Sequence, residues 1–133
     1  MAKKNIATFL GTGKHLSIAG DHAYAYSGGV AINNTSAECL NFTTGKETIM
    51  ATFYFSMDYT TITGGNTAGF EIKLNDITIS KQNDAISSSY EGLAPKEIKF
   101  LIPPFTNVTT FGITNSSTSN TFYHTLTGKV HNA

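Results

Sequence analysis

The chain has 133 residues, and nine Lys plus Arg balance nine Asp plus Glu. A zero net charge with no basic run argues against a nucleic-acid binder, because phosphates need a positive surface to neutralise them. One cysteine, Cys39, excludes an internal disulfide. At this length a domain buries about two-thirds of the surface its unfolded chain exposes, so residues 1–133 read as one domain that needs neither bridge nor metal to fold.

No stretch reaches the ~20 apolar residues of a membrane span. Lys3-Lys4 is followed by no long apolar segment, so a secretory signal is not expected, and the Asn-x-Ser/Thr sites carry little weight. Charged residues make up 14%, against about 25% in ordinary globular domains. The polar surface must then be built from Thr, Ser and Asn. A charge-poor surface is weakly defended against association, which suits a protein covered by partners.

In chain order, candidate strands fall at 5–10, 14–19, 22–27, 29–33 and 37–43. Gly11-Thr12-Gly13, Gly20-Asp21, Ser27-Gly28-Gly29 and Asn33-Asn34 punctuate them. Cys39, inside Ala37–Phe42, reads as a small buried hydrophobe. The clearest alternation comes next: Ile49, Ala51, Phe53, Phe55, Met57 and Tyr59, with Met50, Thr52, Tyr54, Ser56 and Asp58 between them. Successive strand side chains point to opposite faces, so the first set predicts a buried face and a central strand. Residues 68–80 predict a hairpin, since Asn75-Asp76 tolerates the positive φ of a two-residue turn.

A further strand runs through Ile98, Phe100 and Ile102 and stops at Pro103-Pro104, because proline cannot donate to the ladder. Strands at 108–113 and 122–130 flank the polar loop 115–120. About nine or ten short strands at turn spacing predict an all-β, antiparallel β-sandwich. A jelly roll is preferred to an immunoglobulin-like arrangement, although alternation alone is common to both. Two loops, 60–67 and 81–95, are longer than simple turns, and such loops are usually functional.

The motifs that could carry chemistry are weak. Gly11-Thr12-Gly13-Lys14-His15 invites a phosphate-loop reading, but the position that needs the first glycine is Thr8 and no helix follows. His15, His22, His124 and His131 form no zinc-ligand spacing. Asp21 beside His22 could orient an imidazole, and His124 falls on a strand where half-burial is expected. Gly-x-Ser-x-Gly is absent. Asp21, Glu38, Glu47, Asp58 and Glu71 are read as solvated. No enzyme, cofactor or metal is expected. Six Tyr and nine Phe without a Trp leave tyrosine as the amphipathic contact residue. The candidate interface or ligand residues are Tyr24, Tyr26, Tyr54, Asn66 and Tyr90.

The segments His22–Asn34, Leu40–Lys46, Phe70–Asn75, Leu101–Thr106 and Leu126–Val130, in this order, resemble small virion structural proteins of marine tailed bacteriophages. The resemblance spans most of the chain and implies a component of the particle. The expectation it supports is a decoration or cement protein that stabilises the head. Such a protein would bind the major capsid protein or other virion proteins and form a homotrimer, with neither nucleic acid nor membrane as partner. Two alternatives are a receptor- or carbohydrate-binding tip and a single jelly-roll capsid subunit.

Overall fold

The computed structural model describes residues 15–58, 66–85, 96–117 and 119–131. Every regular element among them is a strand: β1 (Ser17–Ala19), β2 (His22–Ile32), β3 (Thr35–Thr43), β4 (Thr48–Asp58), β5 (Thr67–Leu74), β6 (Ile77–Ala85), β7 (Lys96–Ile102), β8 (Asn107–Thr114) and β9 (Asn120–His131). All pairings are antiparallel.

The strands pair as a nested hairpin. β5 pairs with β6, β4 with β7, β3 with β8 and β2 with β9. The turn Asn75-Asp76 is its tip, and successive pairs fall alternately into two sheets. Pairing of β4 with β9 and of β5 with β8 then closes each sheet. One sheet has the order β1-β2-β9-β4-β7 and the other β3-β8-β5-β6. Eight strands rolled into two sheets of this order are a jelly roll, which an immunoglobulin-like sandwich, with its different strand order, is not.

β4 shows why the sequence folds this way. Ile49, Ala51, Phe53, Phe55 and Met57 are buried, and the residues between them are not. Phe55 stacks on Phe70 of β5 at 4.2 Å between ring centroids, which joins the two sheets. Phe53 stacks on Phe100 of β7 at 5.1 Å. Offset-stacked rings add to the free energy of burial itself. Cys39 is buried, as expected, beside Ile32, Met57 and Phe122.

The hairpin at 68–80 is present, with φ of 50° at Asn75 and 66° at Asp76. Positive φ at both central residues matches the twist of the flanking strands. Three expectations are corrected. Candidate strands 22–27 and 29–33 are one strand, β2, because Ser27-Gly28 forms a bulge, with Gly28 at φ 67°. A bulge adds a residue without ending the strand. Residues 81–85 are not loop; they complete β6, an edge strand whose inward side chains are Ser80, Gln82 and Asp84. Ile77 and Ile79 in that strand are exposed, because an edge strand has no neighbour beyond it to cover them. His124 is fully buried, not half-buried. The candidate strand 5–10, the Gly11–Gly13 turn, Tyr59, the loop residues 60–65 and 86–95, and Tyr90 lie outside the described residues.

Candidate interaction surface

Direct partners in an antiparallel ladder share a face. The registers therefore assemble the outer face of the five-stranded sheet row by row. One row is Glu97, Tyr54, Thr125 and Tyr26. The next is Lys99, Thr52, Thr127 and Tyr24. On one side of these lies the row Leu101, Met50, Lys129 and His22, and on the other the row Ser56, Tyr123 and Gly29. Three of the expected contact residues, Tyr24, Tyr26 and Tyr54, are thus brought together by β9, which runs between β2 and β4.

Tyr26, Tyr54 and Tyr123 are exposed, Tyr54 at 47%, and so are Met50 and Leu101. The rings of Tyr24 and Tyr26 lie 6.4 Å apart and tilted. A Cβ at Gly29 would meet Thr121 Cγ2 at 2.8 Å and the Tyr123 ring at 3.3 Å. The Tyr123 ring therefore lies against bare backbone, and a side chain at position 29 would push it away. Threonines 52, 125 and 127 fill the space between the tyrosines.

Charges on this face are few, and those in contact pair with one another. Lys99 Nζ is 3.7 Å from Glu97 Oε2, and Lys129 Nζ is 3.2 Å from Asp21 Oδ2. The Lys129 hydrogen bond holds the Asp21 carboxyl below its ordinary pKa. His22 Nε2 also approaches Asp21, at 3.4 Å. The Asp21 carboxylate thus lies between His22 and Lys129 at the rim.

The outer face of the four-stranded sheet is different. Glu38, Phe111, Glu71 and Lys81 form one row, with Asn41, Thr109, Lys73 and Thr78 beside it. Lys73 Nζ sits 5.1 Å from the centre of the Phe111 ring. Both faces carry charged residues, Glu97, Lys99 and Lys129 on the five-stranded one and Glu38, Glu71, Lys73 and Lys81 on the other. What distinguishes the five-stranded face is its exposed rings, Tyr26, Tyr54 and Tyr123, a residue type enriched at the centres of protein interfaces.

Asn66 is half-buried and precedes β5, in the other sheet, so it does not join the tyrosine face. Tyr123, one of the six amphipathic tyrosines, stands on this face outside the candidate set, and so do Met50 and Leu101. Their signal was present in the outward alternation of Tyr123, Thr125 and Thr127, and of Leu101 with Phe100 and Ile102.

The interior holds one polar constellation. His124 Nδ1 of β9 lies 2.8 Å from Thr110 Oγ1 of β8, across the two sheets. Thr110 Oγ1 also accepts from Leu40 N at 3.2 Å, where a register shift in β3 frees that amide from the ladder. His124 N donates to Ser27 Oγ at 3.0 Å, at the β2 bulge. Burial pushes the imidazole pKa down to about 3, so the ring is neutral. This group ties two bulges and both sheets together. Among the described residues no three of His, Cys, Asp and Glu gather into a metal site. No helix among them is long and apolar enough to cross a membrane.

No family model and no curated protein matches the chain. Among solved structures it is similar to the VP2 subviral particle of infectious bursal disease virus, at 14% identity and a TM-score of 0.45, over 86% of this chain and 34% of that one. It is likewise similar to the structure of the Gx strain of that virus, at 12% identity and the same TM-score and coverage. The chain spans about a third of the length of those proteins.

Proposed function

We propose that the chain is a structural component of a virus particle, a decoration or cement protein that seats the outer face of its five-stranded sheet on other coat subunits. The observation that carries this reading is the composition of that face. Tyr24, Tyr26, Tyr54 and Tyr123 stand among threonines, with charged residues paired at the rim. A rigid sheet surface of this kind loses little conformational entropy on docking, and tyrosine buries apolar area while keeping a polar tip. Binding of many copies adds free energy to the assembled state by mass action. The jelly roll is compatible with the reading, since such sandwiches occur in viral coats as well as in lectins. The resemblance to virion proteins of marine tailed bacteriophages names the kind of particle, and capsid three-fold positions would favour a trimer.

Mass spectrometry of purified particles tests this. The chain is expected among the coat proteins in a stoichiometry set by the particle symmetry, and particles assembled with Tyr54→Ser and Tyr123→Ser together should carry about tenfold less of it or lower still. Its absence from wild-type particles would end the reading. A second reading is favoured by the two neighbouring rings of Tyr24 and Tyr26, which offer a stacking platform for a sugar. Glycan-array binding that disappears in Tyr26→Ser would select that reading instead.

A further inference from the structure

The four-stranded sheet ends in β3 on one side and in β6 on the other. Among the described residues β3 pairs only with β8 and β6 only with β5, so each leaves one ladder edge open. Each is nine residues long, and neither contains proline. A long edge without proline is a template for a further strand. On β6 the edge is also apolar, since Ile77 is 67% and Ile79 43% exposed.

The two edges answer each other. Three antiparallel steps separate β3 from β6, so the two strands run in opposite directions. A second copy set beside the first in the same orientation therefore brings its β3 antiparallel to β6. Each outward row of the sheet begins on β3 and ends on β6. One row runs Glu38, Phe111, Glu71 and Lys81, so opposite charges stand at its two ends. On either side of it lie the rows Asn41, Thr109, Lys73, Thr78 and Ser36, Ile113, Gly69, Asn83. Among the described residues neither Glu38 nor Lys81 enters an ion pair.

Both edges are also bulged over the same interval. Phe111 and Thr109 on β8 are two residues apart, but their partners Glu38 and Asn41 on β3 are three apart. Glu71 and Lys73 on β5 are two apart, but their partners Lys81 and Thr78 on β6 are three apart. A bulge disrupts the ladder between a strand and a regular partner. Here the extra residue is present on both edges, Cys39 on β3 and Ile79 on β6. An unbroken register that sets Lys81 opposite Glu38 of the next copy therefore also sets Thr78 opposite Asn41 and Asn83 opposite Ser36. The same register sets Ile77 opposite Phe42 and Ile79 opposite Leu40.

We infer that β6 of one copy pairs with β3 of the next, so that the four-stranded sheet continues from copy to copy. The occupant is this chain and not an arbitrary strand, because the bulge spacing and the charge of each edge are met by the other. The contact is head-to-tail, so it closes into a ring or runs on as a filament. The coat reading supplies a ring of three, and the inference rests on that reading for the copy number alone. The tyrosine rows, on the other sheet, stay free for other subunits.

Sedimentation velocity of the purified full chain over a concentration series tests the pairing. The wild type is expected to form a species larger than a dimer. Lys81→Glu should raise the dissociation constant about tenfold, and Glu38→Lys added to the same chain should restore it. Within one copy the two positions are three strand spacings apart, about 14 Å, so a restoration reads a contact between copies. Ile79→Lys, a charge at an exposed edge position, should abolish the association and leave the melting temperature unchanged. A wild type that stays monomeric up to its solubility limit, or that stops at a dimer, would overturn the pairing. So would Lys81→Glu that associates like the wild type, or a charge exchange that restores nothing. Amide hydrogens protected on association in β6 but not in β3 would assign the edge to a different strand and overturn it as well. Association lost in Tyr54→Ser but kept in Lys81→Glu would reject this contact and leave the coat reading standing. Particles that lack the chain would reject the coat reading and leave the pairing standing.

Discussion

His124 is the residue on which acid should act. Its ring is buried, with Phe55 edge-on at 4.5 Å between centroids, and Nε2 has no partner among the described residues. A neutral ring shares one hydrogen bond with the Thr110 hydroxyl at Nδ1. A protonated ring would have to donate at both nitrogens, to an oxygen that already accepts from Leu40 N and to nothing at Nε2. The charged groups that face the interior, Asp84 and Lys96, contact each other at the sandwich edge, 3.7 Å apart. The folded pKa is about 3 against 6.5 in the unfolded chain, so below pH 6.5 the unfolded state takes up a proton that the folded state refuses. The stability is fully present above pH 6.5, declines as the pH falls and stops declining near pH 3. The loss amounts to at most about 5 kcal/mol. Denaturant titrations at several pH values should show this slope in the wild type and a flatter one in His124→Asn between pH 6.5 and 4. Asp21 acts lower: its depressed pKa gives stability that is lost only as the pH falls below the carboxylate range. Equal slopes in wild type and His124→Asn would remove His124 as the acid-sensitive group. The sequence showed an outward-inward rhythm at His124 but not the depth of burial, which depends on β8 crossing above it.

At the scale of elements, the legible strands are those with one dry face. β4 was read nearly to its ends because five apolar residues alternate with polar ones. β2 was split in two because Ser27-Gly28-Gly29 has the composition of a turn. In the structure the same residues make a bulge, and Ser27 Oγ accepts the His124 amide. Half of β6 has the composition of a loop, because Lys81, Gln82, Asn83 and Asp84 carry no apolar alternation. Its inward residues form polar contacts at the sandwich edge instead of entering the core, with Gln82 Nε2 donating to Asp84 Oδ2 at 2.9 Å. The β5–β6 turn was legible because only a few residue types accept positive φ. Asp76 at φ 66° is a place where glycine is freer. Asp76→Gly should therefore raise stability by about 0.5 kcal/mol in chemical denaturation. A loss of that size would show that the aspartate side chain contributes more to the turn than its backbone strain removes.

At the scale of the molecule, the strand count and the two-residue rhythm pointed to a sandwich, but they do not fix which strands pair. The nested order comes from contacts such as His22 with Lys129 and Thr35 with Thr114, between residues far apart in sequence. The candidate surface shares that limit. Tyr24, Tyr26 and Tyr54 could each be picked out as an amphipathic ring, yet their membership of one face depends on β9 lying between their strands. The same arrangement gives the molecule two unlike faces. Glu38, Glu71, Lys73 and Lys81 stand on the four-stranded face, while the five-stranded face presents tyrosine rings, Met50 and Leu101 beside Glu97, Lys99 and Lys129.

Hydroxyl-radical footprinting of the free chain and of the chain in assembled particles reads whether the tyrosine face is covered, since tyrosine, phenylalanine and methionine are reactive where solvent reaches them. Tyr26, Tyr54, Tyr123 and Met50 are expected to lose most of their labelling on assembly, while Phe111, on the four-stranded face, keeps its own. Undiminished labelling of the tyrosine face, or protection confined to the face that carries Phe111, would contradict it.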